Sequence, residues 1–325
     1  RSRSGCSGLR RFVADQEAAW KISLFWTIQK ALTAQMDRQI WLLLPWLVFA
    51  VASGGGNRPP LGLRRGPSPS TRIQGLPRII RAHDLRGAAP SAKFSMMLLA
   101  SLLPPGVLVA EADPRRTEPG VLFAEEHAQV AQAVAKRVRE YGVARTLARP
   151  LLKALGAPPG PLLNGPDRAP LWPPGVCGSI SHSSCRVAVI AGSRSGYLSL
   201  GCDVEAAHPL EPTLWTHILR EDERSLLEFV KPAGLAVRVA FSMKEAVYKA
   251  QYPLSGQVLD FGDVRVLAGS SGGGYFIGEL MRDAGPLPQG ERISGAFRVA
   301  DGEIAAVSWI PATAAAALEP GGPPE

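Results

Sequence analysis

The sequence predicts a mixed α/β protein (α+β class) that follows a long N-terminal extension with little regular structure. Apolar residues recur at helical spacing near residue 130 and alternate at strand spacing near residue 200. With 46% hydrophobic and 20% charged residues among 325, the chain has enough apolar material for a sizeable core. This composition excludes wholesale disorder.

Charge divides the chain near residue 95. Residues 1–95 carry 15 Lys and Arg against 4 Asp and Glu, whereas residues 96–325 carry 21 basic and 24 acidic residues. The first third also contains Gly/Pro/Ser-rich stretches that are typical of linkers. We therefore expect residues 1–95 to be a basic, disordered extension that comes from an over-extended translation start, with Met96 or Met97 as the natural first residue of the protein.

Neither the apolar runs nor the cysteines indicate a membrane or secreted protein. Residues 40–52 form an apolar run with Pro45 inside it, and it is shorter than the roughly 20 residues of a membrane-spanning helix. The four cysteines include no CxxC pair, which favours a reducing compartment without a disulfide scaffold or a zinc site. The arginines of the extension are scattered rather than clustered with aromatic residues. We expect a cytoplasmic monomer with no nucleic-acid or membrane partner.

The first half of residues 96–325 predicts a helix, a loop and a strand. Residues 123–155 predict a helix, because apolar side chains recur there at spacings of three and four residues. Pro150 predicts a kink or a break into two helices. Residues 162–178 are rich in Pro and Gly and predict a loop, and residues 187–191 predict a short apolar strand.

Residues 197–205 (YLSLGCDVE) predict a strand with two different faces. Apolar residues at even positions alternate with Ser199, Gly201, Asp203 and Glu205. Because side chains alternate along a strand, the apolar set can face a core while the two carboxylates share the opposite face.

The C-terminal part of the chain predicts two helices followed by four strands, a loop and a tail. The glycine-rich loop most simply joins two strands of a hairpin, and the Ala/Pro/Gly-rich tail is expected to be disordered. The predicted ranges are helices 210–230 and 235–250, strands 258–266, 275–280, 295–299 and 303–310, loop 270–274 and tail 312–325.

Three short motifs carry most of the polar chemistry: GSISH (178–182), GCDVE (201–205) and FSMKEAVYK (241–249). Singly, each has a structural explanation: a turn histidine, a solvated strand face and an ordinary ion pair between Glu245 and Lys249. Together, two strand carboxylates and one helix carboxylate make an all-oxygen site that suits Mg²⁺. Basic residues nearby would hold a polyphosphate, as phosphoryl-type transfer requires.

In this order and at these separations, the motifs resemble the signature of the 4′-phosphopantetheinyl transferases, most closely the enterobactin-synthase-associated type. The loop RAPLWP (168–173) and the segment KRVREY (136–141) also resemble that type, with Arg145 eight residues after Arg137. The resemblance covers residues 96–310.

The resemblance implies a fold and a reaction. The fold would be two similar α/β subdomains, 96–196 and 197–311, in a pseudo-twofold arrangement with coenzyme A between them. In the reaction, a serine hydroxyl of an acyl- or peptidyl-carrier protein attacks the pyrophosphate of coenzyme A in the presence of Mg²⁺. Phosphopantetheine is transferred and 3′,5′-ADP leaves.

The resemblance also implies residue roles. Asp203, Glu205 and Glu245 would bind the metal, and either Glu245 or a metal-bound water would deprotonate the serine. Glu245 and Lys249 would be the catalytic residues. The remaining expected contacts with coenzyme A are Lys244 and Lys249 on the pyrophosphate, Ser181 and His182 on a phosphate, and Arg137, Arg145 and Arg168 at the nucleotide end.

Two other classes stay open from the sequence. A hydrolase would use Ser181 or Cys185 with His182, although neither residue lies in a Gly-x-Ser-x-Gly elbow. A non-enzymatic binding or membrane-attached protein would depend on the basic residues 1–95. A metal requirement distinguishes the transferase from the hydrolase, and a chain beginning at Met96 distinguishes it from the binding protein.

Overall fold

The computed structural model describes residues 97–228, 230–268 and 273–314. The expectations placed on residues 1–95, on the apolar run 40–52 and on most of the 270–274 loop and the 312–325 tail lie outside this range. Within it, no helix combines the length and apolar content that a membrane crossing needs. The helices and strands are β1 (Leu108–Ala112), α1 (Ala124–Val130), α2 (Ala135–Ala154), β2 (Val176–His182), β3 (Val187–Ser193), β4 (Tyr197–Ala206), α3 (Trp215–Ile218), α4 (Ala233–Ser255), β5 (Val264–Ala268), β6 (Gly273–Leu280), β7 (Arg292–Ala300) and β8 (Glu303–Pro311).

The strands form two antiparallel sheets that share one connectivity. The sheet orders are β1-β3-β2 and β4-β8-β7-β6-β5. In each sheet the first strand leads into helices and then pairs with the last strand, which pairs with the strand before it. Helix α2 packs on β1 and β3, and helix α4 packs on β4 and β8. The predicted mixed α/β fold is confirmed, and the repeated connectivity agrees with two similar subdomains.

Three buried apolar clusters hold these layers together. One lies between α2 and the smaller sheet, and another lies between α4 and the larger sheet. The third joins the two sheets, because strands from both contribute to it. Burial of these side chains is the main favourable term in the stability of the fold. Members of the third cluster include Val107, Val109, Ile190, Leu200, Cys202, Val204, Ala305 and Val307.

Helix α4 lies unusually close to strand β4 at Gly201. A Cβ atom built on Gly201 would lie 2.0 Å from the carbonyl oxygen of Ala246 and 2.7 Å from the backbone nitrogen of Ala250. Side-chain Cβ atoms do not approach backbone atoms this closely, so only glycine allows the contact. This approach sets the polar face of α4 directly above Asp203 and Glu205.

A buried ion network joins the two subdomains on the other side of β4. The Arg186 guanidinium donates to both carboxylate oxygens of Glu303 on β8 and, at 2.6 Å, to Glu111 on β1. Glu111 also accepts the backbone N–H groups of Leu98 and Leu99. Burial raises the pKa of Glu111, an effect that Arg186 opposes. The network connects the β2–β3 turn to β1 and to the first residue of β8.

The helices differ from the prediction in three places. The predicted break at Pro150 is wrong: α2 runs through it to Ala154, and the chain breaks at 131–134 instead. Proline removes one backbone hydrogen bond, and the buried face of α2 outweighs that loss. The predicted helix 210–230 is divided into short turns around α3. The predicted helix 235–250 is longer at both ends.

The strands are predicted better than the helices. The predicted ranges 187–191, 197–205, 275–280, 295–299 and 303–310 all lie within strands. The predicted 258–266 strand begins only at Val264, after a turn of 3₁₀ helix. The predicted loop 162–178 extends too far, because β2 begins at Val176. The GSISH motif therefore lies on a strand rather than in a turn.

We expect Gly201→Ala to destabilise the protein, because the added methyl group must push α4 away from β4. Overpacking of this kind costs about 1–3 kcal/mol. The free energy of unfolding, measured by urea denaturation, tests this. The matched control is Gly160→Ala, since nothing lies within 4 Å of the Cβ position there. Equal stabilities of the two variants would contradict the close contact.

We expect Arg186→Met to be strongly destabilising, because it leaves Glu111 and Glu303 buried without their shared cation. Loss of one partner from a buried ion pair costs about 3–5 kcal/mol. The control is Arg224→Met, which breaks an exposed pair with Glu221 at 2.9 Å and should cost less than about 1 kcal/mol. Similar midpoints of chemical unfolding would disprove the role of the network.

Candidate functional site

Asp203 is the centre of a buried polar cluster formed by β2, β4 and α4. It is 2% exposed. Its Oδ1 accepts hydrogen bonds from the Lys249 ammonium at 2.7 Å and from the Ser181 hydroxyl at 3.0 Å. Its Oδ2 accepts a hydrogen bond from the Ser242 hydroxyl at 2.8 Å. The predicted residues of all three motifs therefore meet at one carboxylate.

The periodicity of each element explains this convergence. Arg238, Ser242, Glu245 and Lys249 follow one another at spacings of four, three and four, which places them on one stripe of α4. Asp203 and Glu205 are two residues apart on β4 and share a face, as predicted. That face is covered by α4 rather than solvated.

The Glu245 carboxylate is buried and unpaired. Neither of its oxygens has a hydrogen-bond partner in the described part of the chain. Burial and, to a smaller extent, the neighbouring charges of Asp203 and Glu205 raise the pKa of Glu245 to about 8 against the opposing effect of Lys249. Buried carboxylates are almost always hydrogen-bonded or bound to a cation. The two oxygens therefore mark a position that favours a cation.

Neighbouring charges also shift the pKa values of Glu205 and Lys249. Burial and the charge of Asp203 raise the pKa of Glu205 to about 7, although Arg238 donates to it at 3.0 Å. Burial alone would lower the pKa of Lys249, but Asp203 and Glu245 raise it above its ordinary value. Lys249 therefore remains an ammonium, and the cluster carries three carboxylates around it.

These residues fit a hard divalent cation such as Mg²⁺. The donors are all oxygens, and Glu245 has two without partners. The oxygens of Asp203 are already engaged by Lys249 and two serines. Accordingly, no group of three acidic, His or Cys side chains within the described ranges is arranged as a ready-made ligand set. A cation would have to compete with Lys249 for Asp203.

His182 and Arg137 form a second, adjacent pair. Nη1 of Arg137 lies 2.8 Å from Nε2 of His182, and Oε2 of Glu140 lies 3.5 Å from Nδ1. Desolvation, followed by the charges of Arg137 and Lys249, lowers the pKa of His182 to about 4. His182 is therefore neutral at pH 7 and accepts a hydrogen bond from Arg137.

Lys244 does not join the cluster, which contradicts its predicted pyrophosphate contact. Its ammonium is buried and donates to Glu223 at 2.6 Å and to the carbonyl oxygens of Ile218 and Phe261. Five residues separate Lys244 from Lys249, which places the two side chains about 140° apart around a helix. Lys244 holds the 218–223 segment against α4.

Arg145 is also placed differently from the prediction. Its guanidinium is buried, donates to the Leu162 carbonyl oxygen and to Asn164, and stacks 3.7 Å from the centre of the Tyr141 ring. This arrangement anchors the loop after α2 and contradicts a direct nucleotide contact in this conformation. Arg168 lies farther along that loop with an exposed side chain and a left-handed backbone, φ 65°. Its nucleotide role stays a prediction.

Four functional candidates were missed by the motif analysis. Ser242 and Arg238 lie on the same stripe of α4 as Glu245, and helical spacing from Glu245 would have identified them. Glu140 lies three residues after Arg137, within the segment that carries the resemblance. Gly201 was quoted as part of a motif, but only the structure shows the contact that requires it.

The geometry disfavours the hydrolase hypothesis. Ser181 and His182 are consecutive on a strand and therefore point to opposite faces. The Ser181 hydroxyl is engaged with Asp203 and Lys249. Burial raises the pKa of the Cys185 thiol, which lies 3.2 Å from Glu303. A nucleophilic cysteine requires the opposite shift.

The fold and the cluster define a class: a two-subdomain α/β protein whose carboxylates, hydroxyls and basic groups meet where the subdomains join. Comparison with known families gives the same answer. The family described as "4′-phosphopantetheinyl transferase N-terminal domain" matches residues 125–192, and the 4′-phosphopantetheinyl transferase superfamily matches residues 199–294. The predicted subdomain boundary at residue 196 falls between these two matches.

Individual relatives agree with the family matches. The chain is 38% identical over 239 residues to 4′-phosphopantetheinyl transferase Svp of Streptomyces mobaraensis, covering 70% of this chain and 92% of that protein. It is 34% identical over 197 residues to 4′-phosphopantetheinyl transferase PptT of Mycobacterium tuberculosis, covering 58% and 87%. It is 37% identical over 141 residues to enterobactin synthase component D of Salmonella typhi, covering 41% and 56%. The chain belongs to the 4′-phosphopantetheinyl transferase superfamily, as its motifs predicted.

The raised pKa of Glu245 predicts a pH-dependent stability. Between its ordinary value of 4.5 and about 8, the folded state binds this proton more tightly than the unfolded chain does. The stability that this proton gives the folded state is therefore fully present below pH 4.5, and it is lost as the pH rises through about 8. In EDTA, we expect the melting temperature of wild type to fall relative to Glu245→Gln between these limits, by roughly 2–4 °C per kcal/mol.

Thermal unfolding of both proteins across this pH range measures the effect. Glu221→Gln, which alters an exposed carboxylate, should keep the wild-type profile. Parallel profiles for wild type and Glu245→Gln would contradict the burial of an unpaired charge.

Proposed function

We propose that the protein transfers the 4′-phosphopantetheine group of coenzyme A to a serine of an acyl- or peptidyl-carrier protein. The reaction requires Mg²⁺ and releases 3′,5′-ADP. The observation that carries this proposal is the cluster around Asp203, in which an unpaired buried carboxylate, a lysine and a serine hydroxyl meet. Membership of the superfamily supports the same reaction class.

Each residue of the cluster has a role in this proposal. Asp203, Glu205 and Glu245 would hold the divalent cation, which when bound neutralises pyrophosphate charge. Lys249 keeps its proton and supplies a second positive charge to the pyrophosphate. Ser181 orients Lys249 and Asp203 through its hydroxyl. Arg137 on α2 and His182 at the end of β2 bind a phosphate of coenzyme A.

The proposed transfer is a single displacement at phosphorus. The serine oxygen of the carrier protein forms a bond to the phosphorus that bears the pantetheine. The bond from that phosphorus to the oxygen of the nucleotide part breaks, and 3′,5′-ADP leaves with the electron pair. The serine proton passes to a base, for which Glu245 and a water molecule are the two candidates. Positive charge from Lys249 and Arg137 stabilises the negative charge that develops on the leaving group.

The experiment that tests this function is incubation with an apo acyl-carrier protein, coenzyme A and Mg²⁺, followed by intact-mass measurement of the carrier. We expect a mass increase of one phosphopantetheine group. EDTA should prevent it, and a carrier whose acceptor serine is replaced by alanine should remain unmodified. An unmodified carrier across several acyl- and peptidyl-carrier types would refute the proposal.

We expect Asp203→Ala to lower the transfer rate by about 100-fold or more, because it removes the carboxylate on which the cluster is built. Initial rates of carrier modification at saturating coenzyme A measure this. Asp222→Asn, which alters an exposed carboxylate on the 3₁₀ segment Glu221–Glu228, is the matched control and should keep the wild-type rate. A near-normal rate for Asp203→Ala would remove Asp203 from the active site.

A further inference from the structure

Glu140 is an acidic residue in the middle of a basic site. It is 6% exposed on α2, one turn after Lys136 and Arg137. Its Oε1 lies 3.9 Å from the Lys136 ammonium, and its Oε2 lies 3.5 Å from Nδ1 of His182. Burial raises the pKa of Glu140, and Lys136 and Arg137 oppose that shift. A buried carboxylate beside a phosphate-binding pair would repel the phosphate, so its position calls for an explanation.

The two ring nitrogens of His182 explain it. Glu140 contacts Nδ1, whereas Arg137 contacts Nε2 on the other side of the ring. A carboxylate behind a histidine fixes the ring orientation and favours a proton on the nitrogen that it faces. Glu140 is thus separated from the phosphate side by the imidazole ring.

We infer that Glu140 is a positioning residue that lets His182 take up a proton when a coenzyme A phosphate binds. This inference rests on the proposed function. In the free protein, Nε2 accepts a hydrogen bond from Arg137. When a phosphate binds, Arg137 donates to it instead, and Nε2 takes one proton from solvent and donates to the phosphate. Nδ1–H then faces Glu140, whose negative charge stabilises the imidazolium.

The charges around His182 come from three elements. Arg137 and Lys136 on α2 and Lys249 on α4 disfavour the imidazolium, whereas Asp203 on β4 favours it. Glu140 is the acidic group that contacts the ring itself. The bound phosphate adds negative charge on the opposite side. Proton uptake therefore requires both the phosphate and Glu140.

The test is calorimetric binding of coenzyme A, without metal, at pH 7.5 in buffers of different ionisation enthalpy. Wild type should take up about one proton for each coenzyme A bound. Glu140→Gln, which keeps the shape but not the charge, should take up almost none and bind about tenfold more weakly. Its kcat at saturating coenzyme A should change less than its KM. Glu118→Gln alters an exposed carboxylate that lies before the helices and pairs with Arg139 of α2, and it should behave as wild type.

His182→Asn separates this inference from effects on folding. It should abolish proton uptake by itself, and adding Glu140→Gln to it should cause no further loss of affinity. Full proton uptake in either single variant would overturn the inference while leaving coenzyme A binding intact. A wild-type protein that binds no coenzyme A would refute the proposed function itself, and the inference with it.

Discussion

The contact of helix α4 with strand β4 at Gly201 is the constraint on which the candidate site depends. The helix backbone occupies the space that any Cβ at this position would need. Because the two elements touch, Ser242 and Lys249 reach Asp203, and Glu245 lies buried among like charges. A wider spacing would admit water and release the charge crowding. The stability lost to an unpaired buried carboxylate is the cost of a site that favours a cation.

The smaller subdomain is held against this contact by hydrogen bonds and by the Arg186 network. The hydroxyls of Ser179 and Ser181 accept the backbone N–H groups of Cys202 and Val204, which aligns β2 with β4. Arg186 fastens the turn after β2 to Glu303. His182 lies between these two attachments. The pair of Arg137 and His182, to which we assign a phosphate of coenzyme A, is thereby fixed relative to the carboxylates, as the proposed transfer requires.

The sequence predicted which polar side chains share a face wherever strand or helix periodicity alone decides this. Alternation placed Asp203 and Glu205 on one face of a strand, and the motif on α4 placed Glu245 and Lys249 on one side of a helix. Lys244 and Arg145 were misassigned because their partners, Glu223 for one and Leu162 and Asn164 for the other, come from segments that no local pattern connects to them. The close contact at Gly201 was likewise invisible, because it depends on how a helix approaches a sheet.

The central claim is that α4 and β4 together make a cation site that depends on Glu245. Titration with Mn²⁺ in the presence of coenzyme A, followed by electron paramagnetic resonance of the free ion, tests it most directly. Wild type should bind one Mn²⁺ per chain, and Glu245→Gln should bind it about 100-fold more weakly, a difference of about 2.7 kcal/mol. Equal Mn²⁺ affinity in the two proteins would contradict the claim.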